Sequence, residues 1–232
     1  MFATLDAGIL NLVGVDLVRD LVSLVDMLYT DPGDVRVVVI DSASPDYFSA
    51  HVDLTAVPQY TAEAEKAGGP GDASPGMFLH KLARVPVITI AKVRGRARGG
   101  GNELAMACDM IFASREMAVF GQFEAGTGAL PGAGGVQHLA RRLGRTRAIE
   151  AIVGADDFDA DTAERYGWTN RANARRRAGR LRRTADDTDR RLPAGRGASG
   201  HACRQRPHAG IGRPRPLRRR DIPEPDRPAR KP

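Results

Sequence analysis

The sequence predicts an α/β fold, and three observations carry that prediction. A segment of helical period (9–29) runs directly into a β-branched stretch, VRVVVIDSA (35–43). A second helical segment is followed by a second apolar stretch, VITIAKV (87–93). That stretch passes through a glycine-rich turn into another helix, GRARGGGNELAMACD (95–109). Strands that are apolar along their whole length, alternating with helices, imply a parallel sheet covered on both faces.

In chain order, Leu17, Leu21, Leu24, Val25 and Leu28 recur at helical spacing. Asp16 reads as the N-cap and Asp31-Pro32-Gly33 as the stop. Residues 61–76, TAEAEKAGGPGDASPG, are small, polar and glycine-rich, and read as a mobile loop. MFLHKLARV (77–85) is helical up to Pro86. MIFAS (110–114) and VFG (119–121) are short strands, and residues 134–144, 146–153 and 159–166 are helical. No repeat recurs at a fixed period.

The chain has 232 residues, 42% of them hydrophobic and only 5% aromatic, so its core must be built from Val, Leu, Ile and Ala. Two cysteines, Cys108 and Cys203, exclude a disulfide scaffold and a four-cysteine metal site. No run approaches the length of a membrane span, and MFATLDAGIL lacks the basic and apolar regions of a signal peptide. A reducing cytoplasm is the expected location. The net charge of +7 is unevenly placed: residues 1–170 hold 15 Lys+Arg against 22 Asp+Glu, residues 171–232 hold 20 against 6. This last block carries eight prolines and, from the large apolar and aromatic types, only Leu181, Leu192, Ile211, Leu217 and Ile222. It cannot bury enough surface to offset its ordering entropy. The expectation is a folded body, 1–172, and a disordered Arg/Pro-rich tail, 173–232.

Gly99, Gly100 and Gly101 stand between a strand and a helix. Consecutive glycines let a ligand approach the main chain, and the unpaired N–H groups at a helix start favour an anion or a developing oxyanion. The spacing is neither that of a dinucleotide-binding turn nor that of a Walker loop. A tight structural crossing explains the same residues. Two carboxylates sit in apolar surroundings: Glu103, in the first turn after the glycines, and Glu124, in FGQFEAGTG. Paired carboxylates can divide acid and base roles; the alternatives are a capping Glu103 and an exposed loop Glu124.

YFSAHVDL (47–54), VPVITIAKVRGRARGGGNELAMACDMIFAS (85–114), FGQFEAGTGALPGAGGVQHLARRLG (120–144) and GADDFDADTAERYGWTNRA (154–172) together resemble the crotonase superfamily, the enoyl-CoA hydratase/isomerase group. The resemblance covers residues 3–172 and implies a crotonase-like ββα superhelix, incomplete here at both ends. It implies an acyl-CoA thioester substrate whose enolate is held by the main-chain N–H groups of Ala50 and Gly100. It implies that Glu103 and Glu124 hold a water and add it syn across the α,β double bond, with no cofactor beyond the CoA carried by the substrate. Ser49, His51, Asp53, Leu54, Gly99, Gly101, Pro131 and Gly132 are the implied substrate-binding positions. Family members assemble as homotrimers and hexamers.

The chain departs from the family pattern at named positions. His51 replaces a glycine, Phe123 a proline and Arg94 an asparagine, and ASREMAVF (113–120) carries one extra residue that would bulge and shift Glu124. Arg94, Arg96 and Arg98 are either CoA-phosphate ligands or a solvated loop. His51, His80 and His138 read as packing or surface residues, Asp109 as a local helix-end hydrogen bonder and Cys108 as a small buried side chain. A family strand before MFATLDAG and the family's C-terminal helices are not matched. With 19 Arg and 8 Pro over residues 171–232, the tail reads like GC-rich coding sequence out of frame. Three alternatives to hydration follow: a Δ3-Δ2 enoyl-CoA isomerase, an inactive crotonase-fold protein, and nucleic-acid binding by the tail. The last is disfavoured because no aromatic residue interleaves the cations for base stacking.

Overall fold

The computed structural model describes residues 1–67 and 76–174. Most of the expected loop at 68–75 and the expected tail from 175 onward lie outside the described residues. Within them, two sheets share one chain. The first holds β1 (Phe2–Leu5), β2 (Val37–Ser42), β4 (Ile88–Val93), β6 (Met110–Ser114) and β9 (Arg171–Asn173), all parallel and in that order. The second holds β3 (Tyr47–Ser49), β5 (Arg96–Arg98), β7 (Val119–Gly121) and β8 (Asp157–Asp159), with only the β7–β8 pair antiparallel. Each turn of the spiral lays one strand on the first sheet, one on the second, then adds helix: β2–β3, β4–β5 and β6–β7 are the repeating steps. This is the ββα superhelix.

The helices are α1 (Val15–Thr30), α2 (Val57–Glu65), α3 (Met77–Leu82), α4 (Gly100–Ala107), α5 (Gly135–Leu143), α6 (Arg145–Gly154) and α7 (Ala160–Tyr166). Helix α1 buries Leu17, Val18, Leu21, Val22, Val25 and Leu28. Its N-cap is Gly14, whose carbonyl accepts from Val18; Asp16 lies in the first turn and pairs with Arg19 at 2.7 Å, so it does not cap. The chain is already fixed at Val13, which bridges the segment at Val52, and the helix starts as soon as that bridge ends. Strand β2 explains its own continuous hydrophobicity: Val38 and Ile40 enter the main core, while Val37 and Val39 pack with Ile88 and Ile90 on the opposite face.

Two expectations are corrected. Residues 61–65, read as loop, complete α2, with Ala64 buried and Tyr60 packed against the core. The extra residue in 113–120 makes no bulge in the ladder: β7 pairs β5 in unbroken register, and the turn is absorbed where the Ala118 N–H donates to the Ser114 carbonyl.

Candidate active site

The site is built where β5 ends. Each glycine of the triplet meets a different demand. Gly99 turns the chain at φ +50°, in the left-handed region that favours glycine. A Cβ at Gly100 would lie 2.6 Å from Val52 Cγ1, and one at Gly101 would lie 2.5 Å from both the Cβ and the carbonyl oxygen of Ser49. The chain from Ser49 to Val52 therefore crosses the start of α4 with no room for a side chain beneath it.

Hydrogen-bond accounting then separates the main-chain donors. The Ala50 N–H donates to the Leu10 carbonyl at 3.0 Å, so it is not free to hold an oxyanion. The anchor is firm, because the Asn11 amide of the same segment donates to Phe48, Leu5 and Ser42. The N–H groups of Val52 and Gly100 have no acceptor among the described residues. The Val52 nitrogen lies 3.8 Å from the position a Gly100 Cβ would take. Val52 and Gly100 are thus one pair of free donors, placed together where the two segments cross. Sequence reasoning missed Val52, two residues from the position it chose.

Glu103, in the first turn of α4, is only 3% exposed. It caps nothing in its own helix. Its Oε1 accepts from the N–H groups of Ala133 and Gly135, each at 2.8 Å, which ties α4 to the start of α5. Burial pushes its pKa up to about 7, opposed by those two N–H groups and reinforced by the charge of Glu124. Glu124 opens a 3-10 turn, Glu124–Thr127, and is half-buried rather than exposed. Its Oε1 lies 3.2 Å from the Cβ position of Gly99, at the mouth of the glycine turn. Burial raises its pKa, while its own backbone and the Gln122 amide oppose the rise. Its Oε2 is buried with no hydrogen-bond partner among the described residues.

Behind Glu124 runs a chain of buried amides. Trp168 Nε1 donates to Asn102 Oδ1 at 2.9 Å, Asn102 Nδ2 donates to Gln122 Oε1 at 2.6 Å, and Gln122 Nε2 donates to Glu124 Oε1 at 2.8 Å. Trp168, Asn102 and Gln122 are all fully buried. A buried chain of hydrogen bonds of this kind fixes side-chain orientation. The Gln two residues before Glu124 was the available sequence signal; Trp168 offered none.

The other expected positions divide. Ser49 is buried against Gly101, and its Oγ has no partner among the described residues. Pro131 is buried beside Gly135, and Gly132 is exposed. Asp53 forms a turn with Thr55, which lowers its pKa, and faces Gly14; Leu54 is 71% exposed. His51 and Phe123, both departures from the family pattern, meet edge to face with ring centroids 6.0 Å apart. The arginines are engaged within the chain: Arg94 donates to the Ser42 and Ser44 carbonyls, Arg96 lies over Tyr47, and Arg98 pairs with Asp157 and lies over Phe123. Arg94 and Arg96 are exposed, and Arg98 is half-buried at the end of β5. Asp109 accepts from the N–H and hydroxyl of Thr89 on β4. Among the described residues no helix is long and apolar enough to cross a membrane, and no group of His, Cys, Asp and Glu could hold a metal ion.

Known proteins share this fold. A crystal structure of a putative enoyl-CoA hydratase from Streptomyces avermitilis superposes with a TM-score of 0.83 at 51% identity, covering 87% of this chain and 72% of that one. A probable enoyl-CoA hydratase of Mycobacterium tuberculosis is 36% identical over 166 residues, 70% of this chain and 60% of the relative. The short-chain-enoyl-CoA hydratase of Clostridium acetobutylicum is 34% identical over 163 residues, again 70% and 60%. The chain thus spans about 60% of the length of these curated relatives. The enoyl-CoA hydratase/isomerase family model matches residues 4–183, and the chain belongs to that family.

Proposed function

We propose that the site hydrates the double bond of an α,β-unsaturated acyl-CoA thioester. The observation that supports this best is the placement of two free main-chain donors, Val52 and Gly100, beside two carboxyl groups with raised pKa values, Glu103 and Glu124. The thioester oxygen accepts from the Val52 and Gly100 N–H groups. As negative charge builds there, each preorganised donor contributes about 3–4 kcal/mol to the transition state.

The chemistry then needs one proton taken from water and one delivered to Cα. Two carboxyl groups, one of them titrating at about 7 and the other also raised, supply both. Glu103 and Glu124 hold the water between them, its oxygen bonds to Cβ, and a carboxyl proton reaches Cα as the enolate collapses. No side chain besides the two acids has to change its protonation state. CoA enters and leaves as part of the substrate, and Gly99, Gly101, Ser49 and Pro131 shape the backbone around the thioester. In this reading the body, residues 1–172, carries the reaction, and the cytoplasm and a homotrimer or hexamer are the setting.

The test is loss of crotonyl-CoA absorbance with purified protein. Turnover that disappears in both Glu103→Gln and Glu124→Gln supports hydration. Double-bond migration that survives Glu103→Gln identifies an isomerase, and no turnover by the wild type means an inactive member of the fold.

A further inference from the structure

The groups around the glycine turn ride on three separate segments: Val52 on the chain after β3, Gly100 at the start of α4, and Glu124 after β7. Backbone bonds fix the first. The His51 carbonyl accepts from the Val13 N–H at 2.9 Å, and across a trans peptide this turns the Val52 N–H the opposite way. The next peptide is held at both ends: the Asp53 N–H donates to the Val13 carbonyl at 3.1 Å, and His51 Nδ1–H donates to the Val52 carbonyl. A carbonyl only accepts, so the hydrogen belongs to Nδ1, and this bond fixes the imidazole ring over its own segment.

Glu124 is held differently. The Gln122 amide grips its Oε1 from behind at 2.8 Å. On the side of the glycine turn its neighbour Phe123 braces the chain. Phe123 Cε1 lies 3.2 Å from the Cβ position of Gly99, the same distance as Glu124 Oε1. The Arg98 guanidinium carbon stands 5.1 Å from the ring centroid, and Arg98 is itself tied to Asp157 at 2.9 Å. The remaining contact is the His51 ring, at 6.0 Å between centroids and 79° between planes. An edge-to-face pair at that separation is attractive and directional. One ring belongs to the residue before Val52, the other to the residue before Glu124, and Gly99 lies against the second.

We propose that His51 and Phe123 are a positioning pair: their ring contact ties the Val52 donor to the Glu124 carboxyl and sets the two at one separation before substrate arrives. The proposal rests on the hydratase reading above. A thioester oxygen seated on Val52 and Gly100 fixes where Cα and Cβ fall, so the reach of Glu124 to them depends on how its segment is braced against the donor segment. A small misplacement there is costly in rate. Neither ring gives or takes a proton in the reaction.

The full chain is assayed with crotonyl-CoA as wild type, His51→Leu, Phe123→Leu and the double variant, each brought to equal folded fraction by circular dichroism. Leucine keeps apolar volume and removes the ring. Each single change is expected to lower kcat about three- to tenfold, with KM moving less than about twofold. The double variant is expected to be no slower than the slower single, because both changes break one contact. His51→Phe keeps the ring and loses only the Nδ1–H bond, and is expected to return kcat to within about twofold of wild type. Unchanged kcat in both singles, losses that multiply in the double variant, or no recovery in His51→Phe overturns the proposal and leaves hydration intact. If the wild type does not turn over crotonyl-CoA, the hydratase reading fails separately, and crystal structures of the wild type, His51→Leu and His51→Phe decide the pair. A Glu124 carboxyl displaced from Gln122 Nε2 in His51→Leu and restored in His51→Phe supports it. A Glu124 that stays in place in His51→Leu overturns it.

Discussion

The indole of Trp168 and the side-chain amide of Asn102 are joined by a 2.9 Å hydrogen bond across 66 residues of sequence. Asn102 follows the glycine triplet, and its own amide hands the constraint through Gln122 to Glu124. The lone tryptophan, buried in the second half of the body, thus sets the rotamer of an acid at the mouth of the site. Trp168→Phe keeps most of the ring packing and removes the one donor. It leaves a buried carbonyl oxygen unpaired, which costs about 1–3 kcal/mol. The expected outcome is a lowered urea midpoint with unchanged m-value, accompanied by a fall in kcat larger than any change in KM.

Gln122→Leu tests the last link. The Gln122 amide opposes the burial-driven rise of the Glu124 pKa. Its removal raises that pKa further. The limb of the pH–rate profile that reports Glu124 is expected to move upward in the variant. An unmoved limb with unchanged kcat contradicts the positioning role.

Glu103 carries a stability signature that its activity cannot mimic. Its folded pKa of about 7 lies above the ordinary value of 4.5, so the folded state holds the proton more tightly than the unfolded chain. Stability is therefore full below pH 4.5 and is lost as the pH rises through about 7, by about 3 kcal/mol in all. Glu103→Gln keeps an oxygen for the Ala133 and Gly135 N–H groups and has no charge to desolvate. The variant is expected to match the wild type at pH 4 and to exceed it at pH 8, measured by urea unfolding at both.

What the sequence made legible was local chemistry. The glycine triplet and the acids at 103 and 124 announce themselves because their residue types are unusual in apolar surroundings. The long helix α1 and the strands β2 and β4 announce themselves by period. Strands β3, β5, β8 and β9 are three residues each, too short for any period to register. Helix α2 has only Ala64 fully buried, so its polar composition reads as loop. The second main-chain donor was hidden for a different reason. Which N–H is free between Ser49 and Asp53 depends on Leu10 and Val13, some 40 residues earlier, claiming the amides of Ala50 and Asp53.

Gly101 and Gly154 give a matched pair. A methyl at Gly101 meets Ser49 Cβ and its carbonyl oxygen at 2.5 Å, and backbone cannot step aside cheaply. Overpacking of this kind costs about 1–3 kcal/mol or more. At Gly154, the last residue of α6, the nearest atom is Asp156 Oδ2 at 3.6 Å, and alanine favours the helix by about 1 kcal/mol. Gly101→Ala is expected to lower Tm, and Gly154→Ala to leave it equal or higher.

The choice between Ala50 and Val52 as oxyanion donor can be decided atom by atom. Replacing one residue with its α-hydroxy acid analogue by semisynthesis exchanges a single N–H for an ester oxygen and leaves the side chain in place. At Val52 the exchange removes a donor that has no partner among the described residues, so folding is unaffected and kcat falls about 10²–10³-fold. At Ala50 it removes the bond to the Leu10 carbonyl, which costs about 0.5–1.5 kcal/mol of stability, while turnover is retained. The opposite pattern, with turnover lost at position 50 and kept at position 52, means that the segment from Ser49 to Asp53 re-registers when substrate binds, because only a shift of the chain past Leu10 frees the Ala50 amide.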